Sequence, residues 1–142
     1  MGRLMAIDMG KKRCGIAVTD SLQLMANGLT VVSPSNLEIF LKDYFSREKV
    51  DKVIVGSPVD MHGGPSESTR FITPILNRIR KVFPDMNIEQ VDERFTSVLA
   101  HRSMIEGGMK KSHRKIKENA DLMAATIMLN DYLESKQHKD TQ

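Results

Sequence analysis

The chain has 142 residues, 40% of them hydrophobic and 27% charged, with a net charge of +3. That length suits one domain with a sizeable core and is too short for two ordinary ones, which sets residues 1–135 as the expected domain and 136–142 as a disordered tail. No apolar run approaches the roughly 20 residues needed to cross a bilayer, and no secretory leader precedes the first strand, so a cytoplasmic protein without membrane contact is expected.

Residues 4–7 read as a buried strand that ends in a carboxylate, Asp8, and residues 14–18 read as a second strand after the basic turn Gly10-Lys11-Lys12-Arg13. The two form a hairpin. Cys14, the single cysteine, excludes an internal disulfide, and with no base beside it in an apolar strand it reads as a packed thiol. Residues 24–32 supply a third strand interrupted at Asn27-Gly28, and Ser35-Asn36-Leu37-Glu38 has the spacing of a capping box. The helix it opens carries Leu37, Phe40, Leu41, Tyr44 and Phe45 on one face. Residues 52–55 form a short strand that runs into Gly56-Ser57-Pro58 and a glycine-rich loop with His62, after which residues 71–82 repeat apolar positions at helical spacing.

Pro84-Asp85 ends that helix, and residues 88–91 form another strand, which runs into Asp92-Glu93-Arg94. Thr96 is the N-cap expected for a helix that stops at Gly107-Gly108. A basic loop over residues 110–117 follows, and a final helix from near Asn119 carries Asp121, Ala124, Ala125, Met128 and Tyr132 on one face. Strands alternating with helices after an opening hairpin predict an α/β fold: a mixed sheet with helices on both faces.

In open α/β sheets, sites form at the carboxyl ends of strands. Asp8 and the Asp92-Glu93 pair occupy such ends, and Asp121 sits in the first turn of a helix able to reach them. Carboxylates gathered at one edge repel each other, and a hard divalent cation with oxygen ligands relieves that repulsion. Two such ions roughly 3.5–4 Å apart support phosphodiester hydrolysis. Each acid also has a plainer reading: Asp8 as a turn residue, Glu93 as the partner of Arg94, Asp121 as a charge at a helix N-terminus. The four histidines show no zinc-ligand spacing, and the ten methionines read as core fillers.

Four segments in order carry a family resemblance. Residues 7–20, Val55-Gly56-Ser57-Pro58 with Met61-His62-Gly63, residues 91–97 and Asp121-Leu122-Met123-Ala124-Ala125 resemble the motifs of the YqgF family, also called the RuvX or Holliday-junction resolvase family. Ser57 departs from the apolar residue more usual there. The resemblance implies a ribonuclease H-like fold and a metal-dependent nuclease using Mg2+ or Mn2+. Its catalytic, metal-binding acids would be Asp8, Glu93 and Asp121, with Asp92 as the alternative to Glu93. Phosphate contacts would come from Lys11, Lys12, Arg13, Arg94, Lys110, Lys111, Arg114 and Lys115. The implied substrate is precursor 16S ribosomal RNA in 5′-end maturation, with ribosomal particles as surroundings, or else branched DNA at a four-way junction. A noncatalytic RNA-binding module is the alternative outside enzymes. Monomer and homodimer are equally compatible with the sequence. An actin-like or sugar-kinase reading fails on length, since those proteins clamp ATP between two lobes, and no Walker A pattern occurs.

Overall fold

Strand β1 (Arg3–Met9) is apolar on both faces, and in the computed structural model, which describes residues 2–10, 12–56, 67–91 and 113–140, it lies at the centre of a five-stranded sheet. β2 (Cys14–Thr19) pairs antiparallel with β1, and β3 (Ala26–Val32) pairs antiparallel with β2. On the other side β4 (Val50–Gly56) and β5 (Ile88–Gln90) add in parallel, giving the order β3-β2-β1-β4-β5. This is the mixed sheet with an opening hairpin that the sequence predicts.

The third strand starts at Ala26, two residues later than expected, because the Asp20 carboxylate accepts the backbone N–H groups of Leu24 and Met25, each at 2.9 Å, and keeps them in the turn. Those bonds hold the Asp20 carboxyl below its ordinary range, the Met25 N–H foremost. Asn27-Gly28 does not break the strand. The pairing passes from Ile16↔Thr30 to Ala17↔Gly28, so Leu29 is the extra residue of a bulge.

The capping box is not formed. Pro34 opens a 3-10 turn, Pro34–Asn36, which places Ser35 inside the turn instead of at a cap, and neither flanking residue makes a side-chain cap bond. Helix α1 (Leu37–Arg47) follows, and helix α2 (Glu67–Val82) begins four residues before the expected start. Pro74 lies inside α2, where it removes one backbone donor at a cost of about 3 kcal/mol, offset by burial of Ile72, Leu76 and Ile79.

Two apolar layers sandwich the sheet. Met5, Ile7 and Met9 point to the face covered by α1 and α2, through Leu37, Leu41, Tyr44, Ile72, Leu76 and Ile79. Leu4 and Ala6 point to the opposite face, where Ala124, Ala125, Met128 and Leu129 of helix α3 (His113–Asp140) pack with Ala17 and Ile54. The expected helices on both faces are therefore present.

One boundary is corrected. α3 starts at His113, so Arg114 and Lys115 stand in its first turn and the basic segment is not a loop up to 117. Lys, Arg and Glu are good helix formers, and no Gly or Pro between 113 and 119 stops the helix from extending upstream of Asn119. At its other end α3 runs to Asp140, past the boundary expected at 135. Among the described residues no helix is long and apolar enough to cross a membrane.

Candidate active site

The pleat decides where Asp8 goes. Successive strand residues alternate between faces, so Asp8 shares the face of Leu4 and Ala6, the one covered by α3. It is only 3% exposed, at the carboxyl end of the central strand, and its register partners are Gly15 on β2 and Gly56 on β4.

Both neighbours lack a side chain for a reason visible in the packing. A Cβ on Gly15 would collide with the backbone carbonyl of Asp121, and one on Gly56 would come within 2.5 Å of Met128 Sδ. Together with Ala6, Ala17, Ala124 and Ala125, these glycines let α3 lie close on the sheet. The result is specific to the site. Asp121, distant in sequence by more than a hundred residues, is laid directly over the strand residue paired with Asp8.

Arg13 completes this corner. The turn between β1 and β2 is closed by a bond from Gly10 N–H to Arg13 O at 2.9 Å, and a Cβ at position 10 would sit 2.7 Å from that oxygen. The tight turn delivers the Arg13 side chain to α3, where Nε donates to Asp121 Oδ2 at 2.8 Å. The pair is partly shielded, with side chains 33% and 20% exposed. Sequence reasoning placed Arg13 among phosphate contacts; the structure gives its Nε to a carboxylate. The signal for this pairing is the hairpin register, which follows from the length of the turn and puts Gly15 opposite Asp8, together with the seating of Asp121 on Gly15.

Cys14 reports on the same corner. Burial pushes its thiol up to about 12, and the charges of Asp8 and Asp121 push in the same direction, against a backbone hydrogen bond from Gly10. The thiol is fully buried and stays protonated, as expected for a packed residue. Because the folded value lies above the ordinary value of 9.0, the native state retains a proton that the unfolded chain loses as pH rises past that point. Stability from this group is complete below pH 9.0 and declines as pH climbs towards about 12. A thiol reagent at pH 8 should leave the native protein unlabelled and label it rapidly in denaturant; rapid native labelling would contradict the packing described.

Of the remaining expected site residues, Lys12 is exposed in the turn, and Arg114 and Lys115 are on α3. Lys11, Asp92, Glu93, Arg94, Lys110 and Lys111 lie outside the described residues, as do His62 and His101 and the helix expected after Thr96. β5 leads to this same edge: Val91 N–H donates to Val55 O at 2.8 Å, one residue before Asp92 in the chain. Among the described residues no group of three His, Cys, Asp or Glu side chains is placed to hold a metal. The two described acids nevertheless fit a hard divalent cation, since their donors are all oxygen and one of them is a buried carboxylate.

Comparison with known proteins agrees with this architecture. A family model described as RuvX, Holliday junction resolvase, matches residues 2–135. A protein of Phocaeicola vulgatus is 51% identical over 138 residues, covering 97% of this chain and 99% of its own. One of Flavobacterium psychrophilum is 50% identical over 136 residues, covering 96% and 99%. Both carry the name "Putative pre-16S rRNA nuclease". Among solved structures, Thermus thermophilus RuvC in complex with a Holliday junction substrate superposes with a TM-score of 0.61 at 14% identity, covering 96% of each chain. The yeast mitochondrial Holliday junction resolvase Ydc2 gives 0.56 at 7%, covering 93% of this chain and 78% of its own. At those identities the likeness concerns the fold, which is the expected ribonuclease H-like one.

Proposed function

The chain belongs to the RuvX family, and from that premise we propose that it is a divalent-cation-dependent nuclease acting on precursor 16S ribosomal RNA. The observation that supports the reading is that Asp8 of β1 is paired with Gly15 and the backbone of Asp121 on α3 is seated on that same Gly15. Glu93 is the third ligand of the proposal, with Asp92 as its alternative, since the strand before them ends at this edge.

Mg2+ or Mn2+ held by these acids would supply the charge needed to activate a water and stabilise the leaving oxygen. Asp8 would contribute a ligand on a backbone held by strand pairing on both sides. Burial also keeps bulk water from screening it. Asp121 contributes a ligand whose position depends on α3 seating against Gly15.

The basic residues grip the substrate backbone. Lys12 is exposed on the hairpin turn, and Lys11, Lys110, Lys111, Arg114, Lys115 and Arg94 would supply further cations. Arg114 and Lys115 stand at the N-terminus of α3, where the helix dipole disfavours cations. An approaching phosphate reverses that penalty, since cation and dipole then attract the same anion. Aromatic residues make up only 5% of the chain, which suits backbone recognition over base stacking. We place the reaction in the cytoplasm, on precursor ribosomal particles.

Branched DNA is the second reading, favoured by the family's own description as a resolvase. Parallel incubation with precursor 16S RNA and a four-way DNA junction in Mg2+ separates the two. We expect discrete 5′-end products from the RNA. Cleavage confined to the junction would transfer the activity to DNA, and cleavage of neither would leave a noncatalytic binding module.

A further inference from the structure

We propose that Arg13 is the built-in counter-ion of the acid site: it holds Asp121 in place while no divalent cation is bound and competes with the cation for that carboxylate. The inference rests on Asp8 and Asp121 being cation ligands. Three features of the structure lead to it.

The first is that the backbones carrying the two acids are held near one another. Asp8 is fixed by pairing on both sides of β1, and Asp121 is fixed by the contact of its backbone with Gly15, the residue paired to Asp8. Partly buried like charges in fixed positions destabilise the fold unless a positive charge is supplied. The second is that the chain itself supplies one, by an Nε contact of 2.8 Å across 108 residues of sequence. The third is that this cation is delivered by a closed turn rather than a floppy surface loop. Gly10 is pressed against the Arg13 carbonyl so closely that a side chain there would not fit.

A point charge that neutralises an acid pair and a divalent cation that does the same compete for one role. Removing Arg13 should therefore weaken the metal-free protein and strengthen its response to metal. An arginine acting only as a structural clamp would show the first effect without the second.

The test is a thermal-unfolding series on the full chain, with Arg13→Gln, Arg13→Lys, Asp121→Asn and the Arg13→Gln/Asp121→Asn double variant. In EDTA, Arg13→Gln should lower Tm by about 3–6 °C, the scale of a single lost interaction in a domain of this size. Arg13→Lys, which keeps the charge, should stay nearer the wild type. The double variant should melt above Arg13→Gln alone, because removing the second acid charge removes the repulsion that Arg13 offsets. On adding Mn2+, Arg13→Gln should gain more in Tm than the wild type does. A double variant that melts below Arg13→Gln, or Mn2+ gains that are equal in the two proteins, would overturn the proposal. If Mn2+ moves no variant at all, the reading of the acids as cation ligands fails and the proposal that rests on it falls with it; equal gains above zero overturn the proposal alone.

Discussion

Asp8→Asn and Asp121→Asn are each expected to lower phosphodiester cleavage by at least about a hundredfold if they ligate the metal, since losing even an outer-sphere partner of a metal site costs about 10–100-fold and a direct ligand costs more. Asparagine keeps the shape of aspartate and loses its charge, so the substitution isolates electrostatics from packing. The two variants differ in their folding. Asp8 is buried, and neutralising it removes a charge from the interior, so Asp8→Asn should melt no lower than the wild type in EDTA. Asp121→Asn leaves the Arg13 guanidinium without its ion-pair partner and should melt somewhat lower. Cleavage time courses in Mg2+ together with melts in EDTA check both statements. Wild-type rates in both variants would remove the acids from the chemistry.

Gly15→Ala is expected to damage stability and activity together. Its Cβ would be driven into the Asp121 backbone carbonyl, and backbone cannot rotate away as a side-chain tip can. Overpacking of this kind costs about 1–3 kcal/mol. The helix that must shift is the one carrying Asp121, so the cleavage rate should fall by more than the folded fraction does. Gly56→Ala serves as the comparison: its new methyl meets Met128 Sδ at 2.5 Å, and a methionine side chain adjusts at small cost. Urea melts give the two stability losses, and Gly15→Ala should show the larger one with an unchanged m-value. Equal losses would mean that α3 is not seated on β2 in the way described.

How much of this was readable beforehand differs from one element to the next. β1 was legible because both its faces are buried, which makes a short apolar run ending in Asp8. Asp121 was legible as a member of a helix face with Ala124 and Ala125, and the sequence order of the four motifs pointed to the family. The Ser35 box was misleading because its spacing matches a cap while Pro34 commits the backbone to a 3-10 turn. The start of α3 at His113 is hard to read from sequence because a dense run of lysine and arginine resembles a solvated loop, although those residues have high helix propensity. Least visible was the role of Arg13. Charge composition assigns an arginine beside an acid to phosphate as readily as to carboxylate, and the pairing with Asp121 emerges only from the hairpin register with the seating of α3 on Gly15.

In the proposed site Asp8 and Asp121 hold a divalent cation between β1 and α3. Anomalous diffraction from crystals grown with Mn2+ tests it most directly. We expect an anomalous peak within coordination distance of carboxylate oxygens from both residues, lost in Asp8→Asn crystals. A peak elsewhere on the protein, or one at this corner that persists in Asp8→Asn, would contradict it.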